Sequence, residues 1–286
     1  MAAAVNAPSD RRSRPLRRFL RNPGGLIGLA LLVLLLLVAL LAPAIAPDPI
    51  EQNILQRLSP PSSAHLLGTD QLGRDVWARV AHGAAISLKV GFGVVLLSVL
   101  IGVVIGLLAG SLGGVWDNLL MRLTDIFFAF PSLILAMAIA AALGPNLGNT
   151  ILAVALVSWP VYARLVRANV LALREREFVE AARALGVPQW RLMLRHLLPN
   201  TLTPVFVQAS FDVGGAILTA AGLSFVGFGA QPPIPEWGAM VSETRSYIAE
   251  AFWAPTSPAV AILLTVLAFN LLGDALRDVL DPRANA

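Results

Sequence analysis

Cysteine is absent, and histidine is confined to His65, His82 and His196. The first absence excludes a disulfide framework, a thiolate metal site and a cysteine nucleophile. Three histidines so far apart argue against a histidine metal centre, so no metal site is expected on this chain. Charge is also scarce: 13% of the 286 residues are Asp, Glu, Lys or Arg. A soluble domain carries about 25%. In their place stand apolar residues, 57% of the chain, with a mean hydropathy of +0.74. This balance excludes an ordinary soluble core and points to an all-α, polytopic membrane protein. The net charge is +4. The arginines gather beside apolar runs, as the positive-inside rule expects, and form no nucleic-acid surface.

Hydropathy divides the chain. Residues 1–24 form a basic tail with Arg11, Arg12, Arg14, Arg17, Arg18 and Arg21. Residues 25–45 are continuously apolar and long enough, at ~1.5 Å per residue, to cross a hydrocarbon core of ~30 Å. Ala44-Ile45-Ala46 resembles a signal-peptide cleavage site. The run nevertheless exceeds the roughly 7–15 residues of such a peptide's apolar region, and an uncleaved anchor with a cytoplasmic N-terminus is expected. Residues 46–86 then lie outside, so 25–86 comprises the first helix and an extracytoplasmic segment. Further spans are expected at 87–109, 118–143, 150–170, 201–228 and 256–276. They make 87–276 a five-helix core and 277–286 a cytoplasmic tail. No tandem repeat and no second soluble domain is seen.

Individual residues sharpen this outline. Gly102, Gly106 and Gly110 share one helix face, where a neighbouring helix can approach closely. Pro131 should bend the third span and Trp159-Pro160 the fourth. Arg122 and Asp125, three apart, are placed to pair with each other. Asp125 and Asp212 lie within spans, where an ionisable group is either a pathway residue or a structural one. Trp237, in the proline-rich outer loop, is expected to anchor at headgroup level. Gly68 and Gly73 bracket four residues as in a phosphate loop, but Arg74-Asp75 follows where Lys and a hydroxyl are required. The segment therefore reads as a turn that orders the outer end of the second span.

Residues 174–200 stand apart as the densest charged stretch beyond the N-terminal tail. Phe178, Ala181, Ala182 and Leu185 repeat at helical spacing, as do Trp190, Met193, Leu194 and Leu197. Gly186 between them suits a left-handed helix end, and Pro188 suits a helix start. The stretch reads as a two-helix hairpin with greasy faces. Four preceding spans and five arginines both place it in the cytoplasm. A DNA-binding helix-turn-helix is disfavoured by those faces and by the short tethers. No nucleophile–base set, zinc motif or carboxylate pair supports an enzyme, and no arginine ladder supports a voltage sensor. A channel or secondary transporter remains open at this level.

Glu180-Ala181-Ala182, three residues and Gly186, followed by His196-Leu197-Leu198-Pro199, resembles the EAA motif of ABC importer permeases. The likeness widens with His65-Leu66-Leu67-Gly68-Thr69-Asp70, Gly73-Arg74-Asp75, Leu223-Ser224-Phe225 and the prolines before Trp237-Gly238. Asn270-Leu271-Leu272-Gly273-Asp274 and Leu280-Asp281-Pro282-Arg283 extend it. Together they resemble the dipeptide/oligopeptide/nickel permease family, and within it the C-type subunit of the heterodimeric pore; Val226 and Phe228 depart conservatively from its pattern. The resemblance implies a type I ABC importer permease fold with six transmembrane helices and a cytoplasmic coupling hairpin. Phe178, Glu180, Ala181, Ala182, Leu185 and Gly186 would dock in a cleft of an ATPase subunit. It implies a homologous second permease, two ATP-binding subunits carrying ATP and Mg, an extracytoplasmic substrate-binding protein, and a place in the bacterial inner membrane with both termini cytoplasmic. No cofactor is implied on this chain. Peptides are the implied cargo, with nickel or another small solute as the alternative.

Overall fold

The computed structural model describes residues 18–280. The basic positions Arg11, Arg12, Arg14 and Arg17 and the closing Asp281-Pro282-Arg283 lie outside the described residues. Among the described residues the chain is helical, and its sole β-type pairing is an isolated bridge between Thr69 and Asp75.

The helices follow from runs and caps. Helix α1 (Pro23–Ile45) opens with Pro23, whose fixed φ suits a first turn, and with Asn22, whose side chain accepts from Gly25 N at 3.1 Å. Helix α2 (Val76–Leu112) starts eleven residues before the apolar run at 87. The reason is Asp75, whose carboxylate caps Ala78 N at 2.8 Å and so fixes the start well outside the hydrophobic stretch. Helices α3 (Gly114–Phe128) and α4 (Ser132–Leu143) replace the single span expected at 118–143; they meet at 91°. Pro131 has no N–H to give and disfavours helical backbone at Phe130, so the bend becomes a break. Helix α5 (Leu147–Arg174) carries Pro160 within it. After the hairpin helix α6 (Glu177–Ala184), helix α7 runs from Gln189 to Phe225. Helices α8 (Trp237–Thr244) and α9 (Trp253–Leu280) complete the chain. α1, α2, α5, α7 and α9 are each long and apolar enough to cross a membrane, and the bent α3–α4 pair makes a sixth crossing if counted as one.

The hairpin's second arm differs from the expected free-standing helix. It is continuous with α7, through a π-helical segment at Leu192–Leu197. Its fully buried residues are Leu192 and Leu197, five apart, as a π turn requires. The expected face of Trp190, Met193, Leu194 and Leu197 is thereby split, since Trp190 and Leu194 point to the exterior.

α2 and α5 form the most extensive helix pair. Gly102, Gly106 and Gly110 lie in their seam, as their spacing implied. A Cβ on Gly102 would stand 2.6 Å from the Trp159 carbonyl oxygen. One on Gly106 would strike the Ala163 carbonyl and come within 2.9 Å of Val166 Cβ, and one on Gly110 within 2.8 Å of Val170 Cβ. Glycine here permits a backbone approach that no other residue allows.

The N-terminal end of α2 is held by a charge cluster that hydropathy could not show. Arg74 and Arg79 are each 1% exposed. Arg74 donates to Asp70 Oδ2 through Nε and to Glu243 Oε2 through Nη2, both at 2.6 Å. Arg79 Nη1 donates to the same two oxygens, at 2.7 and 3.0 Å. Asp70 Oδ1 also accepts from Leu72 N and Arg74 N, so one carboxylate closes the turn and pairs both cations. His65 Nδ1 lies 2.8 Å from Asp75. The reading of residues 68–75 as an ordering turn holds.

Trp237 corrects the headgroup expectation. It is 1% exposed, and its indole donates to the Val80 carbonyl at 3.0 Å. The loop before α8 folds onto α2 instead of standing free. Beside it, Glu236 is buried and caps α8, accepting from Gly238 N and Ala239 N at 2.9 Å each. Burial pushes its carboxyl above the usual glutamate value, against the lowering pull of those two N–H groups and Ser224. The stability this group adds is therefore full below the ordinary glutamate pKa and is lost as pH rises through its raised value. Glu236→Gln removes the titration and keeps an acceptor. The expected result is a smaller drop in thermal midpoint between pH 5 and pH 8 than in the parent, measured on purified protein; an equal drop would refute the assignment.

Candidate functional site

The hairpin is locked on one side and bare on the other. Arg174 Nη1 donates to the Gly110 carbonyl at 2.8 Å, and Gln189 Nε2 to the Ser111 carbonyl at 3.0 Å, so both arms are tied to the C-terminal end of α2. Val179, Ala182, Leu192 and Leu197 pack with Leu107, Val166, Val170 and Val205 in a continuous apolar cluster. The turn is a Schellman motif: Val187 N donates to the Ala182 carbonyl and Gly186 N to the Arg183 carbonyl. Gly186 has φ +76°, where glycine alone is unstrained.

The outward face carries most of the residues the sequence singled out. Phe178 is 45% exposed and Leu185 84%, and Glu180, Ala181 and Gly186 are also exposed. Trp190 at 60% and Leu194 at 55% extend the same apolar surface onto the second arm. Ala182 departs from the group, because its side chain faces inward beside Val179 and cannot reach a partner. Trp190 and Leu194 were read only as part of a helical pattern. Their exposure became visible once the π turn had placed Leu192 and Leu197 inside.

The two in-span acids separate. Asp125 pairs with Arg164 Nη2 of α5 at 2.6 Å, not with Arg122, which makes no ion pair among the described residues. Arg164 also stacks on Phe128, 4.0 Å from the ring centre. A cation anchored on a neighbouring helix thus outcompetes the one three residues away. Asp117, which the sequence did not flag, accepts a bidentate pair from one edge of the Arg167 guanidinium, Nε and Nη2, at 2.5 and 2.7 Å. Both pairs staple α3 to α5. Asp212 belongs to a different setting. It lines a cavity of about 390 Å³ among α2, α5, α7 and the α3–α4 break, with Ser98, Ser158, Tyr162 and Thr219. Phe127, Phe128 and Phe130 close it from the break. In membrane proteins, interrupted helix is tolerated where it borders protein or a cavity, as here.

The described residues contain no cluster of acidic or histidine side chains able to hold a metal. What the arrangement offers is a helical bundle, a bare hairpin face and a mid-span cavity with mostly apolar walls and one carboxylate.

Comparison with known proteins agrees with that inventory. Residues 102–286 match the model of the "Binding-protein-dependent transport system inner membrane component" family, and residues 13–61 that of the N-terminal transmembrane domain of oligopeptide transport permease C. A dipeptide transport system permease protein, DppC, of Alkalihalophilus pseudofirmus is 45% identical, covering 92% of this chain and 87% of its own. A di/tripeptide permease of Pseudomonas aeruginosa is 47% identical over 99% and 98%. A glutathione permease of Shigella flexneri is 49% identical over 93% and 89%. The crystal structure of an amino acid ABC transporter with histidines shares the fold, with a TM-score of 0.52 at 19% identity, covering 68% of this chain and 91% of that one. Family model, relatives and helical architecture coincide, and the chain belongs to the family of inner-membrane components of binding-protein-dependent transport systems.

Proposed function

We propose that the cargo of this permease subunit is peptides, that it pairs with a homologous permease, and that its hairpin docks on one of two ATP-binding subunits. As a member of that family the chain forms part of the pore of an ABC importer and carries no ATPase activity itself. ATP and Mg reside on those subunits, and an external binding protein delivers the peptide. The membrane is the bacterial inner membrane, with both termini and the hairpin in the cytoplasm.

Peptide cargo is supported by the relatives, whose names specify dipeptides, di/tripeptides and glutathione. All three are small molecules with peptide bonds, and this favours peptides over nickel. The coupling role rests on one observation: an exposed apolar face on a hairpin whose other face is locked to α2, α5 and α7. Phe178, Ala181, Leu185, Trp190 and Leu194 supply its surface, and Glu180 a charge for a basic group on the ATPase. Gly186 sets the angle between arms. A docked hairpin moves with its partner, and its covalent continuity with α5 and α7 carries that motion into the membrane.

Leu185→Glu tests this with little risk to the fold, because the side chain is 84% exposed. A charged group at the centre of a docking face costs about 2 kcal/mol or more. Peptide uptake by the reconstituted importer should fall by at least about tenfold, with the chain still inserted. Gly186→Val, strained at φ +76°, should have the same effect. Normal uptake in both variants would refute the coupling role.

A further inference from the structure

Asp212 is a carboxylate without a counter-charge. It stands near the middle of α7, and no Arg, Lys or His lines its cavity. Among the described residues it makes no ion pair, and its side-chain hydrogen bond comes from Gln208 Nε2 at 2.9 Å. Across from it lies Tyr162, 1% exposed and near the middle of α5. The tyrosine hydroxyl faces the Asp212 carboxylate closely enough to interact with it both as a charge and as a hydrogen-bond donor, although no hydrogen bond of full geometry forms between them. Three of the four other cavity hydroxyls are spoken for: Ser98, Ser158 and Thr219 donate to the Val94, Val154 and Gly215 carbonyls of their own helices, and Ser132 is the fourth. An acid at membrane depth with no cation beside it, and a buried hydroxyl with only an imperfect bond to that acid, are both costly. Their meeting in one cavity marks a place for a ligand that brings a cation with hydrogen to donate.

We propose that Asp212 and Tyr162 form a mid-membrane waypoint for the amino terminus of the transported peptide, a proposal that rests on the peptide reading above. The peptide α-ammonium is cationic near neutral pH, with a pKa of about 7.7–8.0. It has three N–H groups to donate: the Asp212 carboxylate accepts one or two, and the Tyr162 oxygen another. A cavity of about 390 Å³ falls within the ~300–1,000 Å³ of small-molecule sites. The ammonium is common to peptides whatever their side chains. One carboxylate can therefore guide cargo of varied sequence without selecting among side chains, while the apolar walls of Val94, Val157 and Ala216 accept them.

The test uses the complete importer in liposomes, with labelled dialanine as the probe, recording uptake together with ATP hydrolysis stimulated by the loaded binding protein. Asp212→Asn keeps an acceptor for Gln208 and removes the charge. Uptake per ATP should fall by about tenfold or more, with stimulated hydrolysis unchanged. Asp212→Glu should retain most uptake, and Tyr162→Phe should lose a few-fold. Unchanged uptake in Asp212→Asn would overturn the proposal. So would an equal fall in uptake and stimulated hydrolysis, which would mark Asp212 as a structural partner of another subunit. Failure of the parent importer to take up dialanine would remove the peptide reading and this proposal with it; parental uptake with an indifferent Asn variant removes this proposal alone.

Discussion

Asp70→Ala should release the whole outer cap. It strips Arg74 and Arg79 of their shared acceptor while both guanidinium groups remain buried, and it leaves Glu243 to face two cations. Removing one member of a buried ion network costs about 3–5 kcal/mol, because the uncompensated charge stays behind. The same carboxylate closes the turn through Leu72 N and Arg74 N, so the turn opens too. The measurement is limited proteolysis of residues 46–75 with the thermal midpoint of the purified complex. Cleavage should appear in that segment, and the midpoint should fall. Adding Arg79→Leu should recover part of the loss, since it leaves Arg74 as the one cation facing Glu243 in the cluster. A midpoint unchanged from the parent would place the energy of the cap elsewhere.

Gly106→Leu should do comparable damage from inside the membrane. The new side chain begins at a Cβ that already meets the Ala163 carbonyl and stands 2.9 Å from Val166 Cβ. Rotamer changes cannot relieve a clash with backbone, so α2 and α5 must separate. Overpacking of a well-fitted core costs about 1–3 kcal/mol, and more where backbone is struck. The expected result is little or no folded permease after membrane extraction, read as the monodisperse fraction in size-exclusion chromatography. Gly114→Leu is the control. No atom lies within 4 Å of its added Cβ, so its effect is confined to backbone strain at φ +56°. Normal yield of Gly106→Leu would show that the seam is looser than described.

The membrane crossings were legible because each is a run of apolar residues with few charges. Their ends were not, because caps set them: Asp75 starts α2 outside the hydrophobic stretch, and Pro131 turns an expected bend into a right-angled break. The hairpin was legible as two arms around Gly186. Which face it buries was not. Both faces of α6 carry apolar residues, one set packing on the bundle and the other awaiting a partner, and periodicity in a single chain cannot assign them. Hence Val179 is inside and Phe178 outside, and Ala182 parts from Ala181. Pairs distant in the chain were out of reach: Arg164 with Asp125, and Arg74 with Glu243. Asp212 was visible as a charge in a span, but the Tyr162 hydroxyl that gives it meaning sits fifty residues earlier, on another helix.

The glycine seam has a mechanical corollary. Three notches four residues apart recur about every 6 Å along α2, and the ridge of Ala163, Val166 and Val170 on α5 is meshed into them. Any axial slip shorter than a notch drives backbone carbonyls and valine branches into bulky neighbours such as Val103 and Leu107. The joint therefore resists shear, and α2 and α5 can tilt or translate only as one block. Displacement within the subunit falls to toothless contacts, foremost the open elbow between α3 and α4.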